Sequence, residues 1–210
     1  SISMSILSFN EIVDVLILTF ALGYIFSDMI RKPKNFDFLG SDFNDFKYAA
    51  LIVTPAVLLH ELAHKGVGIY FGYDSILKIS LFGLGLGVIL KYFNSPIIFF
   101  VPAYVISSGA FGNPENFALL ALAGPAANFL LYWISDWLLI SRKYPKYNHA
   151  FIVSKKINLI LMAFNMIPFG FFDGAKVLAG NPMLYWSSLI IGGFLVYKNE
   201  QKWNNYAMRF

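Results

Sequence analysis

The sequence predicts an all-α polytopic membrane protein of about five transmembrane helices, with a re-entrant or β-hairpin element between the second and third. Three observations lead there. Hydrophobic residues make up 58% of the 210-residue chain and charged residues only 13%, against about a quarter charged in soluble domains. Apolar runs long enough to cross a bilayer recur along it. Between the second and third of them lies a stretch whose glycines, turn signals and β-branched residues do not read as a span. The length fits a single membrane-embedded domain over 1–210 with no separate soluble domain. Cysteine is absent, which leaves His, Asp and Glu as the available metal ligands. The net charge of +4 forms short clusters at span ends rather than a basic, aromatic-lined groove, so no nucleic acid is expected as partner. Residues 1–10 lack the basic start of a cleavable signal peptide.

The first span is expected over Glu11 to Ile30, with Asp14 and Asp28 at its edges, followed by a polar loop, Arg31 to Lys47, marked by Pro33 and Gly40-Ser41-Asp42. The second, Tyr48 to Tyr70, has 23 residues, enough for a core of about 30 Å at 1.5 Å per residue. Pro55 removes one backbone donor inside it. In residues 71–116, Ile76 to Ser80 alternates like a strand and Leu81 to Leu90 carries Gly83, Gly85 and Gly87. Asn94-Ser95-Pro96 is a turn signal, and Ile97 to Ser107 is β-rich. Neither arm is long enough to span, so a hairpin returning to its own side is expected. Phe117 to Ile140 is a third span whose Gly124-Pro125-Ala126-Ala127-Asn128 suits tight helix contact. Arg142 to Lys156 reads as a basic loop. A fourth span begins near Ile157, breaks at Asn165-Met166-Ile167-Pro168-Phe169-Gly170 and resumes through Asp173-Gly174. Asn181-Pro182 reads as an N-cap with Pro at the first helical position, opening the last apolar run, Met183 to Tyr197.

The chemistry sits in the second span. His60-Glu61-Leu62-Ala63-His64 puts two imidazoles at i and i+4 on one helix face, where both can point at one metal ion. Glu61 lies about 100° round the helix from His60, from where its carboxylate can reach a water on the metal without taking a coordination place. At this composition the pattern arises by chance in on the order of one chain in a thousand. Zinc suits it, one ion per chain, because it takes imidazole and carboxylate in a tetrahedron and keeps a position open. Ionisable residues in apolar spans are functional by default. For a third ligand, His149 reads as a solvated loop residue and Asp136 as a span-end residue reaching the headgroups. Asp173 is the better candidate, being in a broken span beside Gly174.

His60-Glu61-Leu62-Ala63-His64, Gly124-Pro125-Ala126-Ala127-Asn128, and Asn165-Met166-Ile167-Pro168 leading to Asp173-Gly174, in that order, resemble the site-2 protease family of intramembrane zinc metalloproteases over about residues 48–180. The resemblance implies zinc on His60, His64 and Asp173 with Glu61 as general base. It implies that Asn165 and Pro168 shape the active-site loop and contact substrate, and that Asn128 is either structural or a substrate contact. It further implies a transmembrane protein or peptide as substrate, the lipid bilayer as surroundings, and a multi-pass protein of the cell membrane. Phe172 stands where the family usually has Leu, and no inserted peptide-binding domain is present. Two other readings compete. One is a membrane zinc peptidase cutting membrane-adjacent loops, a class that usually takes Glu as third ligand. The other is a non-catalytic metal-binding membrane protein, against which Glu61 argues, because transport needs no general base. Orientation is left open: twelve Lys and Arg fall on the side of the 31–47 and 141–156 connections against four on the other. The charge rule thus puts the N-terminus outside, whereas the resemblance implies the opposite.

Overall fold

A capping box starts the first helix, α1 (Phe9–Phe26): Ser8 and Glu11 bond reciprocally, Ser8 N donating to Glu11 Oε2 at 2.7 Å. The computed structural model describes residues 7–30, 42–95 and 103–207, and it is mostly helical (78%). Residues 31–41, most of the expected first loop, lie outside the described residues, as do Pro96 of the expected turn and 97–102 of the β-rich arm.

Helix α2 (Asp42–Tyr70) starts six residues before the expected span and runs through Pro55. It lies antiparallel to α1. Phe46 packs on Phe20 at its start, and Lys65 pairs with Glu11 near its end. Glu11 also accepts the Leu77 backbone N–H at 2.8 Å, so one buried carboxylate ties α1, α2 and the next strand together.

The strand-like alternation gives β1 (Asp74–Ile79), paired antiparallel with β2 (Ala103–Ser108) from Asp74↔Ser108 to Ile79↔Ala103. Ser75, Leu77 and Ser107 are buried. A Cβ on Gly68 would collide with Ser75 Oγ, so the glycine lets the ribbon approach α2. Between the strands, Leu81–Tyr92 forms helix α3, capped by the Ser80 hydroxyl. The alternate glycines suggest period 2, but the packing uses period 4: Gly83 and Gly87 are buried with Leu84 on one face, and small residues four apart let helices approach closely. Lys91 at the far end of α3 pairs with Asp28 after α1 at 3.5 Å.

Helix α4 (Pro114–Ser141) has Asn113 as N-cap and Pro at its first turn, and α5 (Asn148–Asn165) begins nine residues before the expected span. The break at Asn165 is present, followed by a short α6 (Asp173–Gly180) and by α7 (Pro182–Ala207). Asn181 caps α7 as expected, taking the Leu184 N–H at 2.9 Å. Among the described residues, three helices are long and apolar enough to cross a membrane: Phe9–Phe26, Asn44–Tyr70 and Pro114–Ser141. The α5 and α7 helices are interrupted by charge at Lys155, Lys156, Lys198, Glu200 and Lys202.

Asp136 corrects its expected place at the headgroups. It is 2% exposed, receiving Lys155 Nζ at 2.7 Å and Trp203 Nε1 at 2.6 Å. Lys155 also reaches Glu200 at 2.9 Å, and Tyr132 donates to that same carboxylate at 2.6 Å. A buried carboxylate is tolerated when paired and hydrogen-bonded, and here the partners come from α5 and α7. The cluster clamps the C-terminal half of α7 onto α4. At the other end of α7, Tyr185 is buried and donates to Met166 O at 3.0 Å.

Candidate metal centre

The site forms where α2, α4 and the start of α6 meet. His60 and His64 project from one face of α2, ring planes 83° apart, with Nε2 atoms 3.1 Å from each other. Asp173 opens α6, and its Oδ2 lies 3.1 Å from His60 Nε2 and 3.0 Å from His64 Nε2. All three residues are buried. Gly174 makes this approach feasible, since a Cβ there would collide with the Met166 carbonyl and sit 2.7 Å from Ile167 O. Among the described residues, His60, His64 and Asp173 are the group that could hold a metal ion, and no Glu joins them.

The outer nitrogens decide what the inner ones carry. His60 Nδ1 is 2.6 Å from Asn128 Oδ1, and His64 Nδ1 is 2.7 Å from the Leu120 carbonyl. A carbonyl oxygen only accepts, so each Nδ1 carries the proton and each Nε2 a lone pair. Two lone pairs and a carboxylate oxygen therefore converge on one point. That is the donor chemistry of a cation site, and the triangle's edges of 3.0–3.1 Å come within roughly 0.3 Å of the ~3.3 Å edge of a tetrahedron with zinc–ligand bonds of about 2.0–2.1 Å. The residues fit zinc.

Helix α4 supplies the cradle from a single stripe. Leu120, Gly124 and Asn128 are spaced i, i+4, i+8, and α4 runs antiparallel to α2, so the stripe meets His64 and His60 in turn. At its centre, a Cβ on Gly124 would collide with His64 Nε2 and stand 2.5 Å from His60 Nε2. Only glycine leaves that space open. In the sequence Gly124 and Asn128 stand out only as part of a run suited to tight helix contact, and their bearing on the histidines depends on α2 and α4 facing each other.

The other expected site residues fall as follows. Glu61 is 7% exposed beside the donors and takes no hydrogen bond from the described residues. Asn128 is 0% exposed; its Nδ2 donates to Ala56 O at 3.1 Å and to Asn158 Oδ1 at 2.9 Å, so its amide is spent inside the protein. Asn165 ends α5 with Nδ2 donating to Leu161 O at 3.0 Å, and Pro168 is exposed in the α5–α6 connection. His149 is exposed and bonds Tyr48 at 2.7 Å. Not anticipated from the sequence is Lys176, one turn along α6, which donates to Asp173 Oδ1 at 2.9 Å and occupies the oxygen turned away from the histidines.

Apolar helices enclosing a two-histidine, one-carboxylate centre with an adjacent buried glutamate define a metallopeptidase-like protein. The chain is similar to a protein of Methanocaldococcus jannaschii named "Putative zinc metalloprotease MJ0611", 33% identical over 201 residues that cover 92% of this chain and 98% of the relative. The chain belongs to the family of that zinc metalloprotease. No protein-family model matches it and no solved structure does.

Proposed function

We propose that the chain is an intramembrane zinc endopeptidase of the site-2 protease type, hydrolysing peptide bonds of transmembrane segments within or beside the bilayer. The observation that carries this reading is the depth of the donor set. His64 and His60 lie six and ten residues before the end of the candidate span Asn44–Tyr70, about 9 and 15 Å at 1.5 Å per residue. In this reading α5 with α6 and α7 complete five crossings.

His60, His64 and Asp173 would hold the ion. Zinc bound there supplies Lewis acidity toward a peptide carbonyl and activates water near neutral pH. Glu61 removes the proton of the attacking water on its carboxylate and delivers it to the nitrogen of the departing amine. Asn128 and the Leu120 carbonyl keep both imidazoles in the ligating tautomer. Lys176 holds the second oxygen of Asp173 so that one oxygen faces the histidines. Asn165 has a further Nδ2 proton without a partner among the described residues, available to a substrate carbonyl. A cleft of roughly 710 Å³ between α4, α5 and α7, lined by Pro125, Phe129, Met162, Ile167 and Pro168, suits an apolar substrate segment. Pro125 adjoins Gly124, and the cleft residue Met166 abuts Gly174, so the cleft borders the centre.

Co-expression with a panel of single-span proteins tests this, comparing wild type with Glu61→Ala. Fragments ending inside the span, made by wild type alone, support the reading. Wild-type fragments ending only in membrane-adjacent loops would favour the loop-cutting peptidase, and identical fragments from both proteins would remove the enzyme reading.

A further inference from the structure

We propose that Asn158 on α5 is a positioning residue for His60, acting through Asn128; the inference rests on the metal-centre reading above. His60 can ligate through Nε2 only while its proton sits on Nδ1, and that requires Asn128 to present oxygen, not nitrogen, at the 2.6 Å contact. An amide turned by 180° would present Nδ2 instead and favour the tautomer with its proton on Nε2, on the metal side. The orientation of one buried amide therefore decides whether His60 is a ligand.

Two acceptors hold it. Asn128 Nδ2 gives its protons to Ala56 O and Asn158 Oδ1. Asn158 is in turn directed by the backbone: its Nδ2 donates to Ser154 O at 2.9 Å, with Ser154 Oγ at 3.3 Å. A helix carbonyl cannot reverse its role, so Ser154 O fixes the polarity of the relay from α5, as Ala56 O does from α2, and Asn128 on α4 receives both. Asn128 and Asn158 are 0% and 1% exposed, so no bulk water competes. A buried asparagine in mid-helix is costly unless its polar atoms are matched; here the matching ends on a metal ligand 98 residues away in the chain.

The test uses the full chain in detergent, stripped of metal and titrated with Co(II) against a chelator, with the visible cobalt bands as readout. Outer partners of metal-bound histidines are worth 10–100-fold in affinity. With Ala56 O still in place, Asn158→Ala is expected to weaken cobalt binding about 10-fold, at the low end of that range. Asn158→Asp, which would set a carboxylate oxygen against the Ser154 carbonyl in a site 1% exposed, is expected to lose at least as much affinity as Asn158→Ala. In an Asn128→Ala background, Asn158→Ala is expected to cost nothing further. Equal affinity of wild type and Asn158→Ala overturns the inference, as does the same loss with and without Asn128, which would mean simple packing. If Asn158→Ala loses its helical circular dichroism, Asn158→Leu, of similar volume, carries the comparison. A wild type that binds no cobalt overturns the metal centre itself and is distinguishable from every other outcome.

Discussion

Replacing Gly124 with alanine tests the cradle with a single methyl group. The new Cβ would stand 2.5 Å from His60 Nε2 and 2.6 Å from His60 Cε1, and would collide with His64 Nε2. Ordinary contact between such atoms is about 3.5–4.0 Å, so both rings must retreat by roughly 1 Å. They cannot retreat freely, because each is tied through Nδ1 to the same helix that carries the methyl group, at Asn128 and Leu120. Overpacking of this kind costs about 1–3 kcal/mol of stability. Breaking either outer bond lowers metal affinity about 10–100-fold, and both are strained here, so the upper end, about 100-fold, is expected. Chelator competition on the purified variant measures the affinity, and helical circular dichroism separates it from unfolding. Gly85→Ala and Gly192→Ala are the controls: nothing lies within 4 Å of a Cβ at either site, so metal binding should not change and helix propensity should favour alanine by about 1 kcal/mol. Wild-type metal affinity in Gly124→Ala would refute the assignment of that space to the ion.

Glu61→Gln should keep full metal content while cleavage of a single-span substrate falls about 10²–10⁴-fold; a variant that cleaves normally would deny Glu61 its role. Gly174→Ala should displace Asp173, since the Met166 carbonyl that it meets is backbone, and metal content should drop although every ligand remains. Asp136→Ala removes the nearer partner of buried Lys155, which keeps Glu200 at 2.9 Å, and should destabilise the protein by about 1–3 kcal/mol, read as a lowered midpoint of thermal unfolding. Metal affinity in surviving Asp136→Ala protein should be near that of wild type, because the clamp lies away from the donors.

Features set by residues close in the chain can be read from the sequence, and those set by distant partners cannot. His60, Glu61 and His64 are local to one helix, and helical periodicity alone puts them on adjoining faces. Asp173 was traceable because a break in an apolar run is costly and so points to a site. Alternation over Ile76 to Ser80 points to a strand, and Asp74–Ile79 is one, whereas its pairing with Ala103–Ser108 and the α3 helix do not follow from it, since three glycines at every second position hide the four-residue spacing of Gly83 and Gly87. Asp136 reads locally as a headgroup residue because its partners, Lys155 and Trp203, stand on other helices and nothing local announces them. Gly124 on its own reads as a helix-contact residue. That its missing Cβ leaves room for an ion can be seen only with α2 opposite. The tautomers of both histidines, and the amide relay behind His60, are tertiary facts of the same kind.

If His60, His64 and Asp173 hold one zinc ion that makes this chain a peptidase, cleavage must follow that ion. The most direct measurement is cleavage of a single-span reporter by the purified protein in liposomes, before metal stripping, after it, and after the return of one equivalent of zinc. Cleavage is expected to disappear on stripping, to return with that one equivalent, and not to return in Asp173→Ala. Cleavage that survives complete removal of metal, or that zinc restores equally in Asp173→Ala, would contradict that expectation.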